Sequence, residues 1–150
     1  MTIHTIKREQ FIPQPTPAVF DFFQRAENLE SITPPWLRFR ILTPLPIAMR
    51  QGAMIRYRLR LRGLGITWLT EIAQWNPPWE FVDVQIKGPY RLWRHTHRFF
   101  RVGGGTRMTD TVEYSLGFGI LGELAHRVVV AADLARIFDY RALRIRELLG

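Results

Sequence analysis

The sequence predicts an α+β fold in which a curved antiparallel sheet of about seven strands wraps around a long C-terminal helix. Two patterns carry this prediction. Segments that alternate apolar and polar residues, bounded by proline and glycine, recur up to residue 116 and are typical of strands. The last thirty or so residues instead repeat apolar side chains at the three- and four-residue spacing of one helix face. The 150 residues suffice for a single domain, 1–150, with its own hydrophobic core.

The chain opens with a predicted strand and two short helices. Thr2 to Phe11 alternates loosely, and the prolines that follow end that strand. Thr16 before Pro17 fits a helix N-cap followed by proline at the first helical position, which predicts a helix from Pro17 to Arg25. Asn28 fits the cap of a second helix that runs to Thr33 and ends at two prolines. A short strand over 37–43 and a proline-rich loop over 44–52 follow.

The most regular strand is predicted over 54–62. Successive side chains of a strand point to opposite sides, so its apolar residues share one face and its arginines share the other. A tight turn at Gly63-Leu64 leads into a returning strand over 65–75. Pairing Arg62 with Gly65 would place Glu71 opposite Arg56, a favourable cross-strand pair. We name Arg56, Arg58, Arg60 and Arg62 the arginine stripe; Ile55, Tyr57, Leu59 and Leu61 face the other way, with Ile66, Trp68 and Ile72 of the returning strand.

Three further strands complete the predicted sheet. Turns at 76–78 and 88–89 bound a strand over 79–86. Strands over 90–102 and 106–116 form a hairpin closed by three glycines. If Gly103 and Gly104 make the turn, His97 lies opposite Asp110 and His95 lies opposite Val112.

The C-terminal helix is predicted over 120–149, which corresponds to roughly 45 Å at 1.5 Å per residue. The segment 128–132 is apolar on nearly every side, so we expect another part of the protein to cover it. Charged residues, Arg141 among them, fall mostly opposite the apolar face. The residues predicted to face the sheet are Leu124, Val128, Ala135, Phe138 and Ala142.

The chain is basic, with a net charge of +8, which invites an acidic partner. The arginine stripe is the strongest charge feature, and we interpret it as a solvated outer face. Weak contact with an anionic membrane surface is the second interpretation. Nucleic acid is disfavoured as a partner, because no aromatic side chain that could stack on bases shares that face.

The composition also bears on location. The absence of cysteine excludes disulfides and thiolate chemistry, and it favours an intracellular, cytoplasmic protein. The first ten residues lack the long apolar run of a secretory signal. Charged residues interrupt the C-terminal helix well short of the ~20 apolar residues of a membrane span. No pattern in the sequence indicates an oligomeric state.

Several short motifs follow one another in order along most of the chain. They are Pro17-Ala18-Val19-Phe20, Asn28-Leu29 with Pro34-Pro35, Phe81-Val82-Asp83, Gly88-Pro89-Tyr90, the run of Trp93, His95, His97 and Phe99, and Gly105-Thr106 with Asp110 and Tyr114. Their order resembles a bacterial ligand-binding branch of the START, polyketide-cyclase and birch-pollen-allergen (SRPBCC) superfamily. The resemblance implies a helix-grip fold with a hydrophobic cavity between the sheet and the long helix. It implies no fixed reaction, since members bind, carry or convert lipids, steroids, polyketides and quinones.

A polar pair is predicted inside this apolar framework. Arg94 and Arg98 should face water, which turns His95 and His97 inward, and Asp110 of the next strand shares that inner face. Burying a charge costs several kcal/mol unless it is paired, so an inward carboxylate beside an imidazole is unusual. Three interpretations stay open: the pair orders the core, it orients the head group of a ligand, or His97 acts as a general base held by Asp110.

No metal ion and no organic cofactor is expected from the sequence. His95 and His97 could hold a metal only with further ligands, and the remaining histidines, His4 and His126, lie in distant elements. No serine or cysteine nucleophile is tied to the pair by spacing.

The predicted function is the binding or carrying of a small hydrophobic ligand, such as a lipid, a quinone or a polyketide-like molecule. Inward-facing aromatic residues would line its site, although a packed core is an equal interpretation of the same residues. The alternative function is a polyketide cyclase- or dehydratase-like enzyme that uses His97 with Asp110 as catalytic residues. The predicted ligand-binding residues are Tyr57, Trp68, Trp93, His95, Phe99, Met108, Tyr114 and Phe138.

Overall fold

The computed structural model describes residues 2–150, and its centre is one antiparallel sheet of seven strands in the spatial order β1-β7-β6-β5-β4-β3-β2. The first strand in the chain therefore lies beside the last one, and every other neighbour in the sheet follows from local hairpins or meanders. The predicted α+β class and the helix-grip arrangement are confirmed. The strands are β1 (His4–Ile12), β2 (Arg40–Ile41), β3 (Met54–Leu61), β4 (Leu64–Asn76), β5 (Glu80–Lys87), β6 (Leu92–Val102) and β7 (Gly105–Ser115).

Helices occupy the two predicted places, after β1 and after β7. The two short helices are α1 (Thr16–Gln24) and α2 (Asn28–Ile32), followed by a 3-10 turn, Pro35–Leu37. The C-terminal helix is divided into α3 (Gly119–Ala125), a π turn (His126–Val130) and α4 (Ala131–Leu149). None of the helices within 2–150 is long and apolar enough to cross a membrane.

Tertiary contacts override the predicted helix caps. Thr16 is buried inside the first turn of α1, and its hydroxyl lies 3.0 Å from that of Thr106 on β7. The Asn28 side chain donates to the backbone carbonyl of Phe22, at 2.8 Å, and thus caps no turn of its own helix. The predicted strand 37–43 shrinks to two residues, because the 3-10 turn ends on Arg38 in a left-handed conformation, with φ of 48°.

The β3–β4 hairpin turns one residue earlier than predicted. Arg62 and Gly63 have φ of 49° and 83°, as in the type I′ turns that suit two-residue hairpins, and Leu61 pairs with Leu64. Relative to the predicted pairing, the register moves by two residues, so each side chain keeps its face. Glu71 consequently lies opposite Met54, and its predicted pairing with Arg56 is wrong.

The β6–β7 hairpin has the predicted register. Gly103 and Gly104 form the turn between Val102 and Gly105, and Gly104 has a φ of 82° that other residues rarely adopt. The backbone of His97 lies opposite Asp110, and that of His95 lies opposite Val112. Both histidines and Asp110 are buried, which confirms that they face inward.

The buried face of the C-terminal helix differs from the predicted one. Phe138 faces the sheet as predicted and Ala135 and Ala142 are half-buried, but Leu124 and Val128 are 58% and 67% exposed. The π turn explains the difference, since one extra residue in a helical turn rotates the following face by about 100°. The prediction that 128–132 is covered is therefore wrong at Val128 and Ala132, which are both exposed, and holds only in part for the half-buried residues between them. The residues of α4 that are buried are Leu134, Phe138, Arg141 and Ile145, and the prediction that Arg141 falls opposite the apolar face is wrong.

Three residues of the arginine stripe, Arg56, Arg58 and Arg60, lie on the exposed face of β3. The prediction is wrong for Arg62, which lies in the turn and binds Asp133 of α4 at 3.0 Å. We expect Arg58→Gln combined with Arg60→Gln to change the free energy of unfolding by less than about 0.5 kcal/mol, as for solvated surface residues. Chemical denaturation measures this value.

Binding to anionic vesicles should be weak and should vanish with added salt, because exposed charges are screened beyond ~8 Å at physiological ionic strength. Tight vesicle binding that survives high salt would contradict this interpretation.

Candidate functional site

A cavity of about 180 Å³ lies between the sheet and α4. Strands β3, β4, β5 and β6 supply one wall, and α4 supplies the other, with α1, α2 and the segment after it at one side. Most of the wall is apolar or aromatic, and the polar groups are concentrated where β5 and β6 meet α4. The residues that define the two ends are Tyr57, Leu59, Trp68, Trp93 and Leu134 at the apolar end, and Asp83, His95, His97 and Arg141 at the polar end.

Most of the predicted ligand-binding residues contact this cavity. Tyr57, Trp68, Trp93, His95 and Phe138 line it, and so does His97. The others lie elsewhere on the inner face of the sheet. Phe99 and Met108 belong to a core cluster with residues of α1, and the Tyr114 hydroxyl lies 2.7 Å from His126 Nε2.

Strand alternation explains why these three residues were included. It identifies the whole inner face, but α1 covers that face at Phe99 and Met108. The C-terminal helix covers it at Tyr114, which packs with Leu134 and Phe138. At the covered end, the rings of Phe20 and Phe23 pack on Phe99, with centroids 5.4 and 5.7 Å away.

Aromatic rings form the apolar end. The rings of Tyr57 and Trp68 are stacked, with centroids 5.8 Å apart, and Trp93 meets Trp68 edge to face at 5.2 Å. Such contacts hold large flat surfaces in fixed orientations. The indole Nε1 of Trp68 is buried and has no hydrogen-bond partner within residues 2–150, so one donor of this wall is unused.

Two carboxylates flank the two histidines at the polar end. Asp83 Oδ2 lies 2.6 Å from His97 Nε2 on one side of the histidine pair, and Asp110 Oδ1 lies 2.7 Å from His95 Nε2 on the other side. The imidazole rings are stacked between them, with centroids 3.7 Å apart. Arg141 reaches the same Asp110 oxygen at 3.3 Å through its Nη2 donor.

The predicted partnership of His97 with Asp110 therefore needs correction. Their backbones are paired, but the short hydrogen bond of His97 goes to Asp83, and its Nδ1 is 3.4 Å from Asp110 and makes no hydrogen bond within the described chain. Strand β6 has a neighbour on each side, and the prediction took only β7 into account. Asp110 lies outside the cavity lining, behind the histidines.

Asp83 and Arg141 are the site residues that sequence reasoning missed. A signal for Asp83 was present, because period-two alternation places it on the same face as Phe81, which is buried. The signal for Arg141 was its spacing, since it lies three residues after Phe138 and four before Ile145 on one helix stripe. The prediction placed Arg141 on the solvent-facing side of the helix because its side chain is charged.

The carboxylates are kept ionised against the effect of burial. Burial alone would raise the pKa of Asp110, but the Arg141 guanidinium and the two histidines hold that pKa well below its usual range. Burial likewise opposes ionisation of Asp83, yet the hydrogen bond from His97 and the nearby positive groups lower its pKa.

The two histidines have opposite shifts. Burial and the neighbouring His97 lower the pKa of His95, which favours its neutral form. For His97, burial also lowers the pKa, but its interactions with Asp110 and Asp83 outweigh that effect and raise it. When His97 is protonated, the charges alternate in sign from Asp83 through His97 and Asp110 to Arg141, and this alternation makes their burial tolerable.

A comparison with known protein families identifies one match. A family model described as polyketide cyclase / dehydrase and lipid transport matches residues 12–136, which is most of the chain. No curated protein matches the sequence.

Solved structures share the fold at low sequence identity. The protein TTHA0849 from Thermus thermophilus is 20% identical, with a TM-score of 0.68, and the match covers 98% of this chain and 100% of that one. The Zhui aromatase/cyclase from Streptomyces sp. R1128 is 15% identical, with a TM-score of 0.69 and coverage of 98% and 96%. Ara h 8.0201 is 13% identical, with a TM-score of 0.67 and coverage of 99% and 98%. At these identities the likeness shows the fold alone.

Proposed function

Because this chain belongs to the polyketide cyclase/dehydrase and lipid transport family, we propose that it binds one small apolar or aromatic molecule in the cavity between the sheet and α4. The observation that carries the proposal is the division of the cavity wall into a large aromatic part and one compact polar end. Binding sites for small molecules are typically apolar with a few placed polar groups. The volume of about 180 Å³ suits one or two rings or a short acyl chain, since an apolar cavity of about 150 Å³ holds benzene.

One accessible polar group suggests what the ligand carries. The Asp83 side chain is 18% exposed and lines the cavity, so it can accept a hydrogen bond from a ligand hydroxyl. A ligand with a flat apolar body and a hydroxyl at this place matches the wall best.

The same site supports a second candidate function, an enzyme of the cyclase or dehydratase type. The specific observation in its favour is an imidazole on the cavity wall, His97, that is held by a carboxylate at 2.6 Å. A positioned imidazole can take a proton from the carbon next to a carbonyl group. In that role Asp110 holds the ring from the Nδ1 side, and the neutral imidazole must release Asp83 so that its Nε2 can take the proton. In that case His97→Gln abolishes turnover of a polyketide-like substrate while its binding survives.

Native mass spectrometry of the protein purified from its own host tests the binding proposal. We expect an adduct of one small apolar compound, which dissociates on denaturation. Leu134→Phe adds bulk to the cavity wall and should remove the adduct, whereas Leu148→Phe adds the same bulk at an exposed position of α4 and should retain it. Added volume in a packed core typically costs about 1–3 kcal/mol, so circular dichroism is needed to establish that both variants are folded.

A second measurement keeps the test decisive when no ligand copurifies. Methyl NMR spectra recorded with added 2-naphthol, an aromatic hydroxyl compound of suitable size, should show shifts at Leu59 and Leu134, which line the cavity. Ile145 lies in the separate core cluster and should not shift. No adduct together with no shift at the cavity methyl groups would overturn the proposal.

A further inference from the structure

We propose that Asp83, His95 and His97 form a binding site for one divalent first-row transition metal ion at the polar end of the cavity. One ligand atom from each of the three residues can be chosen so that all three atoms lie within 4.8 Å of one another. The three residues come from adjacent strands, β5 and β6, so the sheet itself fixes their backbones. This inference concerns the ion only and does not depend on the apolar ligand proposed above.

The distances between the candidate ligand atoms are close to those of a metal centre. Asp83 Oδ2 lies 2.6 Å from His97 Nε2 and 3.9 Å from His95 Nδ1. Bonds of ~2.0–2.2 Å from zinc to nitrogen and oxygen place neighbouring ligand atoms roughly 3–3.5 Å apart. One observed separation is slightly shorter and the other slightly longer, so small side-chain rotations would bring all three atoms to a common ion.

The residues behind the histidines provide the outer contacts that such a site needs. His95 Nε2 and His97 Nδ1, the nitrogens directed away from Asp83, both approach Asp110 Oδ1, at 2.7 and 3.4 Å. Metal-binding histidines almost always donate their other ring N–H to a carboxylate, carbonyl or water, which fixes the tautomer and the ring orientation. Arg141 holds the shared Asp110 oxygen from the helix side, at 3.3 Å.

A bound ion would also give a role to an unsatisfied atom. His97 Nδ1 is buried and makes no hydrogen bond within the described residues. With His97 Nε2 on the metal, the remaining ring proton sits on Nδ1 and points toward Asp110. The arrangement is then two imidazole nitrogens and one carboxylate oxygen, a set that binds Zn²⁺ or Fe²⁺ and leaves at least one coordination position free. Since all three ligands line the cavity, that position faces it.

The other pair of histidines provides an internal contrast. His4 and His126 are stacked with ring centroids 3.5 Å apart, but His4 contacts Glu123 and His126 contacts the Tyr114 hydroxyl. They share no carboxylate behind their rings and form no three-ligand group within residues 2–150. No metal was expected from the sequence because His4 and His126 were considered as further ligands, whereas the third ligand is Asp83.

Titration of the metal-stripped protein with Co²⁺ and then Zn²⁺ tests the site. We expect one equivalent of Co²⁺ to produce visible absorption bands, and one equivalent of Zn²⁺ to displace it. Asp83→Asn and His97→Gln should each weaken the affinity by at least about 100-fold, since each removes a direct ligand, and Asp110→Asn by about 10–100-fold, since it removes an outer contact. His126→Gln is the matched control and should bind as the unmodified protein does.

A measurement on the unmodified protein covers the case in which a variant does not fold. X-ray absorption of the Zn²⁺-loaded protein should show two imidazole ligands with nitrogen and oxygen at ~2.0–2.2 Å. The proposal is overturned if the unmodified protein binds no stoichiometric metal, if the spectrum lacks two imidazoles, or if folded Asp83→Asn binds as tightly as the unmodified protein. Loss of binding in His126→Gln alone would also overturn it, because the ion would then lie at the other histidine pair.

Discussion

Replacing Arg141 with methionine is expected to lower the free energy of unfolding by about 3–5 kcal/mol, the usual cost of removing one partner of a buried ion pair. The reason is Asp110, whose carboxylate lies within 3.3 Å of the guanidinium and has only 5% of its side chain exposed. Without Arg141 that carboxylate must stay charged beside two histidines or take up a proton, and both outcomes cost stability. Chemical denaturation at neutral pH measures the loss of free energy, with every variant prepared in the same way, free of metal and ligand.

Two companion variants separate this effect from a general response of the helix. Arg146→Met changes an exposed arginine of α4 and should cost less than about 0.5 kcal/mol. Asp110→Asn should be destabilising alone but less so in the Arg141→Met background, because the two changes break one shared interaction. Strictly additive costs would mean that the two side chains do not stabilise each other.

Phe99→Ala is also expected to lower the free energy of unfolding by about 3–5 kcal/mol, in this case through the loss of apolar packing. The ring is 1% exposed and is enclosed by Phe20, Phe23 and Phe81. Its removal would leave a void between the sheet and α1 that these rigid neighbours cannot fill. Thermal or chemical unfolding gives the value.

The neighbouring residue and a cavity residue serve as comparisons. Phe100 is 38% exposed on the other face of β6, so Phe100→Ala should have a much smaller effect. Phe138 is buried but borders the cavity, so Phe138→Ala enlarges an existing space and should cost less than Phe99→Ala. Equal costs at Phe99 and Phe138 would show that the cavity is filled or collapsed in solution.

The strand pattern was predictable because one face of this sheet is buried. By alternation, Trp93, His95 and His97 share one face of the sheet wherever the strand begins and ends. The glycines after Val102 fix the β6–β7 register. In the β3–β4 hairpin the faces were right and the pairing was wrong, because a shift of two residues changes partners without changing faces. The alternation of apolar and polar residues therefore predicts the face on which a side chain lies more securely than the residue that it contacts.

The site was only partly predictable for a related reason. The sequence indicated that His97 and Asp110 face inward, but a side chain on a central strand also has a neighbour on the other strand, and Asp83 of β5 takes the hydrogen bond. Arg141 was misplaced because a charged residue was assumed to face water, whereas the buried Asp110 attracts it. The exposed start of the C-terminal helix could not be foreseen, since the π turn that rotates it leaves no clear trace in the spacing of apolar residues.

The position of β1 beside β7 has a consequence for the time course of folding during synthesis. Thr5 of β1 pairs with Glu113 of β7, roughly a hundred positions later in the chain. At translation rates of about 5–20 residues per second, β1 leaves the ribosome about 5–20 s before its partner exists. Hairpins such as β3–β4 and β6–β7 can form as soon as they emerge, because their pairing is local. The first strand to be made is thus the last to join the sheet, and until β7 has been made its backbone is free to pair with other chains.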